Sequence, residues 1–309
     1  MESLLKLPGD VPQVCHEVNA GTIDNPPTKP WLSRLAISEM TTIRWSLLDD
    51  IVHLRAEGLE AIAVWRRKTS EFGEEKAVEL IRDSGLTVAS VSCAGGFTGH
   101  GGHSFRAALD DGLEALRLAG ELQAGCLVVV SGARAGHTWR HARRLLRDAL
   151  VALGDFAARV NVPIALQPRH PRSAGDWSFL TSLDATLEVL QDCQHPFVGL
   201  AFDVFHLSHE RDLAGRVADA LPWIRTVQLS DASASPRSDH DRLLPGEGCL
   251  PLASIVEQLE AGGYQGCYNF EVWSEDIWNQ DFSQLARRCR DSFQELVGQR
   301  HRRPVAADS

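Results

Sequence analysis

Short apolar runs alternate with amphipathic helical stretches along most of the chain. In the segment "WSLLDDIVHLRAEG", apolar residues recur at the spacing of one helix face, and Gly58 is a stop signal. The pattern predicts eight strands, each followed by a helix. The predicted strands cover 34–40, 60–65, 86–92, 126–132, 162–168, 197–203, 224–231 and 267–273.

Strands that alternate with helices of this length are typical of parallel βαβ units. Eight such units predict a single-domain α/β fold, a (β/α)8 TIM barrel, over residues 31–297. A doubly wound open sheet is the main rival, but "ISEMTTIRW", after the first strand, has no phosphate-binding glycine fingerprint. We expect residues 1–30, with "NPPTKP", to form an extended N-terminal arm and residues 298–309 to be a disordered tail.

Composition narrows the possible partners. The 309 residues are 44% hydrophobic and 23% charged, which is ordinary for a protein with a full core. A net charge of −10 argues against nucleic acid or an anionic membrane as the main partner. We find no run of 18 apolar residues and no signal peptide. The seven cysteines are scattered and lack a C-x-x-C motif, so a reduced, cytoplasmic protein is predicted.

Polar residues stand where several predicted strands end, and reactive groups in barrels come from this edge. Asp203 follows the apolar run "VGLAF", and Glu271 interrupts "YNFEVW". A carboxylate in such a run is costly unless it is paired, hydrated or bound to a cation. Gln167 and Gln228 occupy the corresponding ends of the fifth and seventh strands. The four positions together predict a cation or sugar site.

The chain resembles the sugar phosphate isomerase/epimerase family, whose members have xylose isomerase-like TIM barrels. The resemblance covers most of residues 32–295 and is strongest from 162 onward. It rests on "EAIAVWR", "LQPRHP", "VGLAFDVFHL", "IRTVQLSDA" and "DRLLPGEGCLPLASIVEQLEAGGYQGCYNFEVWS". The order D-x-x-H, PGEG, GY-x-G and E-V-W-S is specific to the family, although no single motif is.

The resemblance implies one divalent cation held by Glu, Asp, His and Glu at the ends of the fifth to eighth strands. These positions fall on Gln167, Asp203, Gln228 and Glu271, so two match the family and two do not. An amide oxygen is a weaker ligand for a hard cation, and the loss of imidazole disfavours transition metals. We therefore expect a weakly bound divalent metal, Mg²⁺ or Mn²⁺ rather than Zn²⁺.

The same substitutions bear on catalysis. The resemblance implies that the fifth- and eighth-strand carboxylates work on opposite faces of a sugar enediolate in epimerases. Gln167 cannot act as a general base, so Glu271 is predicted to be the catalytic base. His206 is predicted to assist by donating to a substrate hydroxyl or orienting Glu271. One-base chemistry favours an isomerase over an epimerase of a small sugar or sugar derivative.

Four further residues are candidates for substrate binding. Trp65, at the end of the second strand, is predicted to stack on a sugar face. His170, after the fifth strand, is a candidate for contacting a hydroxyl or phosphate. Arg242 and Arg134 are candidates for binding an anionic substrate group.

Two of the remaining polar residues have a structural explanation, and a third is a further site candidate. Arg169 is predicted to lie on a surface loop, and turn geometry alone explains Glu247 between two glycines. Glu39, beyond the first strand, is a candidate for supplying the carboxylate missing at position 167.

Two other function classes stay open. One is a catalytically silent barrel that binds a sugar or a protein partner, which Gln167 favours. The other is a metal-dependent dehydratase or lyase acting on an inositol-like ketone. A DNA-repair endonuclease would need a three-zinc cluster and a basic DNA face, and the acidic chain offers neither. The predicted partner is a small sugar-like substrate, with neither nucleic acid nor membrane involved, and a homo-oligomer is possible.

Overall fold

The computed structural model describes residues 31–99 and 102–300. The predicted arm at 1–30 and residues 301–309 of the predicted tail lie outside the described residues. The final helix runs to Arg300, three residues beyond the predicted end of the barrel.

Eight parallel strands close into a barrel in the order β1-β10-β7-β6-β5-β4-β3-β2, which confirms the predicted TIM barrel. Each predicted strand overlaps one of these eight. The barrel strands are β1 Leu35–Ser38, β2 Ala61–Trp65, β3 Thr87–Gly95, β4 Leu127–Val130, β5 Ile164–Leu166, β6 Val198–Asp203, β7 Ile224–Leu229 and β10 Tyr268–Phe270. We call β10 the eighth barrel strand, because the short strands β8 and β9 lie outside the barrel.

Helices connect the strands. They are α1 Leu47–Ala56, α2 Arg66–Phe72, α3 Glu74–Ser84, α4 Phe105–Glu121, α5 Trp139–Val160, α6 Leu183–Cys193, α7 Val217–Ala220, α8 Leu252–Ala261, α9 Glu275–Trp278 and α10 Leu285–Arg300. Several of them begin at a side-chain cap. At α1, Ser46 Oγ accepts a hydrogen bond from Asp49 N, and Ser46 N donates to the Asp49 carboxylate, which forms a capping box.

Alternation along each strand separates an outer core from the barrel interior. On β6, Leu200 and Phe202 pack in the large core between strands and helices. Ala201, between them, packs with Cys126, Val128 and Ala165 in a separate small cluster. Because side chains alternate with a period of two, the residue after Phe202 points into the barrel.

A polar layer crosses the barrel interior just below its carboxyl end. Asn269 Nδ2 donates to Ser90 Oγ at 3.1 Å and to Thr226 Oγ1 at 2.9 Å. These hydrogen bonds tie β10 to β3 and β7 across the barrel. They support the next layer up, which contains Gln228 on β7 and the residue after β10.

The segment "DLAGRVADAL" (212–221), after the sixth strand, is predicted to be a helix, but the helix is much shorter in the structure. Only Val217–Ala220 is α-helical, and a 3-10 turn follows from Leu221. Asp212 adopts a positive φ of 51°, and its Oδ1 accepts a hydrogen bond from Gly215 N at 3.3 Å. This local side-chain bond competes with the first helical turn, which explains why the prediction was too long.

An antiparallel ribbon beyond β7 is a feature that the sequence pattern does not predict. It pairs β8 (Asp231–Ala232) with β9 (Arg242–Leu243). The Asp231 carboxylate accepts hydrogen bonds from Gly246 N at 3.0 Å and Leu250 N at 2.9 Å. These bonds hold the PGEG loop, and the ribbon places Arg242 at the barrel mouth.

The six cysteines of the described segments are all free thiols. Within the same segments, no helix combines the length and apolar character that crossing a bilayer requires.

Candidate active site

Four side chains meet at the carboxyl end of the barrel, as the strand ends predict. We call Gln167, Asp203, Gln228 and Glu271 the mouth quartet. Each is at most 4% exposed. Register brings them together, because Asp203 is paired with Gln228 across β6 and β7, and Glu271 N donates to Leu229 O at 3.1 Å.

A continuous chain of hydrogen bonds joins the mouth quartet. Gln167 Nε2 donates to Asp203 Oδ2 at 3.0 Å and to Gln228 Oε1 at 2.6 Å. Gln228 Nε2 donates to Glu271 Oε2 at 2.5 Å. Each of the two amides therefore donates an N–H group to one of the two carboxylates.

His206 lies directly behind Asp203, as the D-x-x-H spacing predicts. Its backbone N donates to Asp203 Oδ1 at 3.1 Å, and its Nδ1 accepts from His170 N at 3.2 Å. His206 Nε2 lies 2.6 Å from Arg169 Nη1 and 3.0 Å from Arg242 Nη2. Burial, reinforced by the two guanidinium charges, lowers the pKa of His206 well below 6.5, so the imidazole is neutral.

Arg242 is fully buried beside the quartet, and its predicted role in substrate binding stays a prediction. Its Nη1 donates to Glu271 O at 3.1 Å and lies 3.5 Å from Asp203 Oδ2. The Phe205 ring packs on the guanidinium at 4.4 Å. Arg242 thus places a fixed positive charge between both carboxylate-bearing strands.

Arg169 is buried as well, so the predicted surface-loop location was wrong. Only 3% of it is exposed. Its guanidinium carbon lies 5.6 Å from the centre of the Trp177 ring and 5.4 Å from the centre of the Trp273 ring. Burial lowers the pKa of Arg169, with the charge of Arg242 acting in the same direction. Sequence reasoning did not assign a site role to Arg169 or Trp273; their positions directly after β5 and β10 were the available signal.

Glu271 has the electrostatics of a general base. Burial raises its pKa above 4.5, and the nearby charge of Asp203 raises it further. Arg242 and Arg169 act in the opposite direction and limit the shift. A carboxylate whose pKa is raised toward neutrality is a stronger base than an exposed one.

Two predicted substrate-binding residues are not joined to the quartet. Arg134 is exposed, and Trp65 is half-buried at the start of α2. The Arg67 guanidinium lies 5.5 Å from the Trp65 ring, and Trp65 N donates to Glu39 Oε2 at 2.6 Å. The substrate contacts predicted for Trp65 and Arg134 stay predictions.

Two loops at the carboxyl end of the barrel are hydrogen-bonded to each other. Arg172 Nη1, on the loop after β5, donates to Pro236 O at 2.6 Å on the loop before β9. Ser173 Oγ donates to the Asp239 carboxylate between the same loops. These bonds join the loop after β5 to the loop before β9.

Glu39 does not replace the missing carboxylate at position 167, and that prediction was wrong. It lies with Asp50 and Lys68, which come from α1 and α2 on the helix side of β1. Lys68 pairs with Asp50 and donates to Thr42 O at 2.9 Å. Burial and the charge of Asp50 raise the pKa of Glu39 well above 4.5, and burial raises that of Asp50 to about 6.

This buried cluster gives a pH-dependent prediction. A group whose folded pKa is raised contributes stability that is full below its unfolded pKa and is lost as pH rises through its folded pKa. Glutamine cannot titrate, so Glu39→Gln should gain stability relative to wild type between about pH 5 and about pH 8. Urea unfolding at both pH values measures this. Asp49→Asn is the control, because hydrogen bonds from Ser46 lower the pKa of exposed Asp49. A Glu39→Gln difference independent of pH would contradict the prediction.

Comparison with known proteins agrees with this geometry. Residues 51–292 match a family model described as xylose isomerase-like TIM barrel. The chain belongs to the xylose isomerase-like TIM barrel family. The match covers all four quartet residues and both site arginines.

Individual proteins resemble this chain at low sequence identity. The inosose isomerase of Halalkalibacterium halodurans is 21% identical over 160 residues, covering 50% of this chain and 55% of that protein. The 3-dehydro-D-guloside 4-epimerase of Escherichia coli is 29% identical over 138 residues, covering 43% and 48%. The chain thus spans about half the length of the curated relatives it matches. The crystal structure of IolI, which contains a bound zinc atom, superposes with a TM-score of 0.77 at 17% identity, covering 86% of this chain and 98% of that one.

The mouth quartet of this xylose isomerase-like barrel does not fit a divalent cation as it stands. Within residues 31–99 and 102–300, no group of three or more His, Cys, Asp and Glu side chains is arranged to hold a metal ion. The amide nitrogens, which cannot bind a cation, face the carboxylates. The buried guanidinium groups of Arg169 and Arg242 lie close to both carboxylates, so a dication would be placed beside two positive charges.

Proposed function

We propose that the chain is an isomerase that moves a proton between adjacent carbons of a small sugar derivative, with Glu271 as its base. The observation that carries the proposal is the position of the Glu271 carboxylate, which is buried at the carboxyl end of the barrel beside Gln228 and Arg242. The two curated relatives, named as an isomerase and an epimerase of sugar derivatives, support the same reaction class.

The proposed reaction needs one base and no net change in atoms. Glu271 takes the proton from the carbon next to the substrate carbonyl, and the C–H electron pair forms the enediolate. The same carboxyl group then returns the proton to the former carbonyl carbon. The hydroxyl proton of the carbon that was first deprotonated passes to the former carbonyl oxygen, which leaves the new carbonyl on that carbon. His206, which is neutral, and the Arg242 guanidinium are proposed to orient the hydroxyl and carbonyl oxygens.

The residues favour isomerisation over epimerisation. Inversion at one carbon requires a second proton carrier on the opposite face of the substrate. Gln167 stands at the position of such a base and cannot supply one. Both oxygens of Asp203 accept hydrogen bonds, from His206 N and Gln167 Nε2, which lowers its availability as a base.

A weakly bound Mg²⁺ or Mn²⁺ stays a prediction from the family resemblance. The zinc-bound IolI neighbour is consistent with metal use in this fold. Because the quartet as described does not fit a dication, the proposed proton transfer is assigned entirely to side chains of this chain.

A catalytically silent binding barrel is the second candidate. It is favoured by the hydrogen bond from Gln228 to Glu271, which occupies one oxygen of the proposed base. Dehydration of an inositol-like ketone begins with the same proton removal and stays a prediction. Cytoplasmic location and a homo-oligomer also stay predictions.

Proton NMR in deuterated water tests the function. Purified protein is incubated with a panel of aldoses, ketoses, keto-inositols and uronates. We expect at least one panel member to form an isomer, with deuterium entering next to the carbonyl. A product lighter by one water would favour the dehydratase. Binding by thermal shift, without conversion or exchange of any panel member, would favour the silent barrel and overturn the isomerase.

A further inference from the structure

The site contains more hydrogen-bond donors than acceptors on the side of His206. A neutral imidazole has one N–H and can accept at only one ring nitrogen. Yet both ring nitrogens face donors: Nδ1 faces His170 N, and Nε2 faces Arg169 and Arg242. At least one of these contacts is therefore donor against donor, which an added acceptor would relieve.

Two buried donors beside this contact have no protein partner. They are Arg169 Nε and Trp273 Nε1. Arg169 is 3% exposed and Trp273 is 9% exposed. The Trp273 ring also packs on both guanidinium groups, at 5.4 Å from Arg169 and 5.2 Å from Arg242. A buried donor without an acceptor is costly, so this cluster favours a ligand that brings oxygen atoms.

The charges indicate which kind of ligand. Arg169 and Arg242 give two buried positive charges, while Asp203 already accepts from Gln167 and His206 and lies 3.5 Å from only one guanidinium. A planar guanidinium with free N–H groups matches the paired oxygens of a carboxylate or phosphate. A cation would instead add positive charge next to both arginines.

We propose that Arg169, Arg242, His206 and Trp273 form an anion subsite beside the mouth quartet that binds an oxyanion group of the substrate. The inference rests on the proposed function and narrows its substrate class to acidic sugar derivatives. The oxyanion is a carboxylate, as in a uronate, or a phosphate ester.

Isothermal titration calorimetry of the wild-type protein tests the proposal without measuring turnover. The titrants are glucuronate, glucose 6-phosphate, inorganic phosphate and glucose, and separately Mg²⁺, Mn²⁺ and Zn²⁺ as chlorides. We expect an acidic sugar to bind at least 10-fold more tightly than glucose, in line with charge-assisted hydrogen bonds. Comparison of glucuronate with glucose 6-phosphate identifies the oxyanion.

Two variants locate the site. Arg169→Leu removes the charge and should weaken binding of the acidic sugar by roughly 10-fold to 100-fold. Arg169→Lys keeps the charge but loses the planar fork, so we expect it to bind the acidic sugar with intermediate affinity. This variant also tests the site if Arg169→Leu fails to fold. Arg106→Leu is the matched control, because Arg106 is exposed and pairs with Asp110 on α4.

A double variant tests whether the site can be changed from binding an anion to binding a cation. Gln167→Glu with Gln228→His restores the carboxylate and imidazole that the family resemblance implies. We expect this double variant to bind Mn²⁺ or Zn²⁺ and to lose affinity for the acidic sugar. Wild type is expected to bind neither cation with a Kd tighter than about 1 mM.

The proposal is overturned if acidic and neutral sugars bind wild type equally, or if a dication binds it stoichiometrically below that Kd. Failure here leaves the isomerase proposal standing whenever deuterium exchange is observed with a neutral sugar. Selective binding of the acidic sugar without exchange would instead retain the subsite and reject the isomerase.

Discussion

Glu271→Gln is expected to lower kcat by roughly 10²-fold to 10⁴-fold on whichever panel substrate wild type converts. Glutamine keeps the shape of the side chain and can still accept the hydrogen bond from Gln228, but it cannot take a proton. KM should change little, because the substrate contacts of Arg242 and His206 remain. Initial rates of isomer formation by NMR measure both parameters.

Stability separates this loss of catalysis from unfolding. Since burial raises the pKa of Glu271, a neutral side chain at this position should not lower the melting temperature. Glu247→Gln is the matched control, because Glu247 is exposed in the PGEG loop and pairs with Arg288 at 2.9 Å. We expect it to leave the rate unchanged. Wild-type turnover in Glu271→Gln would refute the assignment of the base.

Periodicity along the chain was sufficient to predict the fold. Buried parallel strands are short and continuously apolar, and the helices between them keep a 3.6-residue period. The prediction failed where local hydrogen bonds override that period, as at Asp212 and Gly215 before α7. It also could not find the β8–β9 ribbon, because pairing between residues 231–232 and 242–243 depends on contacts that no local pattern records.

The mouth quartet was predictable for a geometric reason. Parallel strands end at one edge of a barrel, and alternation fixes which side each residue faces. Asp203 follows Phe202 of the outer core, and Glu271 follows Phe270 of the same core, so both carboxylates point inward. Only strand register, which the barrel supplies, was needed to bring them together.

The electrostatic character of the site was not predictable from these residues alone. Whether an amide presents oxygen or nitrogen depends on its neighbours, and Gln167 donates in two directions because Asp203 and Gln228 both offer oxygen. Arg169 is buried in contact with the rings of Trp177 and Trp273, and Trp273 is far from it in sequence. The positive charge at the site is therefore placed by loop packing and not by the strand-end motifs.

The far end of the barrel depends on another buried arginine, outside the candidate site. Arg34, just before β1, is 1% exposed. Its guanidinium makes two contacts with the carboxylate of Glu260 on α8, at 3.0 Å and 2.9 Å. It also donates to Tyr264 O at 2.7 Å and Gly266 O at 3.1 Å. These bonds join the segment before β1 to α8 and to the loop that precedes β10, next to the β1–β10 pairing that closes the barrel.

Arg34→Ala is expected to destabilise the fold by about 3–5 kcal/mol, because it leaves the Glu260 carboxylate buried without its main partner. For a domain of this size, that corresponds to a fall in melting temperature of roughly 10 °C. Scanning calorimetry measures it. Arg287→Ala is the matched control: its side chain is 59% exposed, and it pairs with Glu57 at 3.0 Å, so we expect a melting temperature near that of wild type. Arg34→Lys should fall between the two, since an ammonium keeps the charge but not the paired contact. If Arg34→Ala had the melting temperature of wild type, the prediction would be wrong. The strand hydrogen bonds between β1 and β10 and the packing of Tyr268 would then be sufficient to close the barrel.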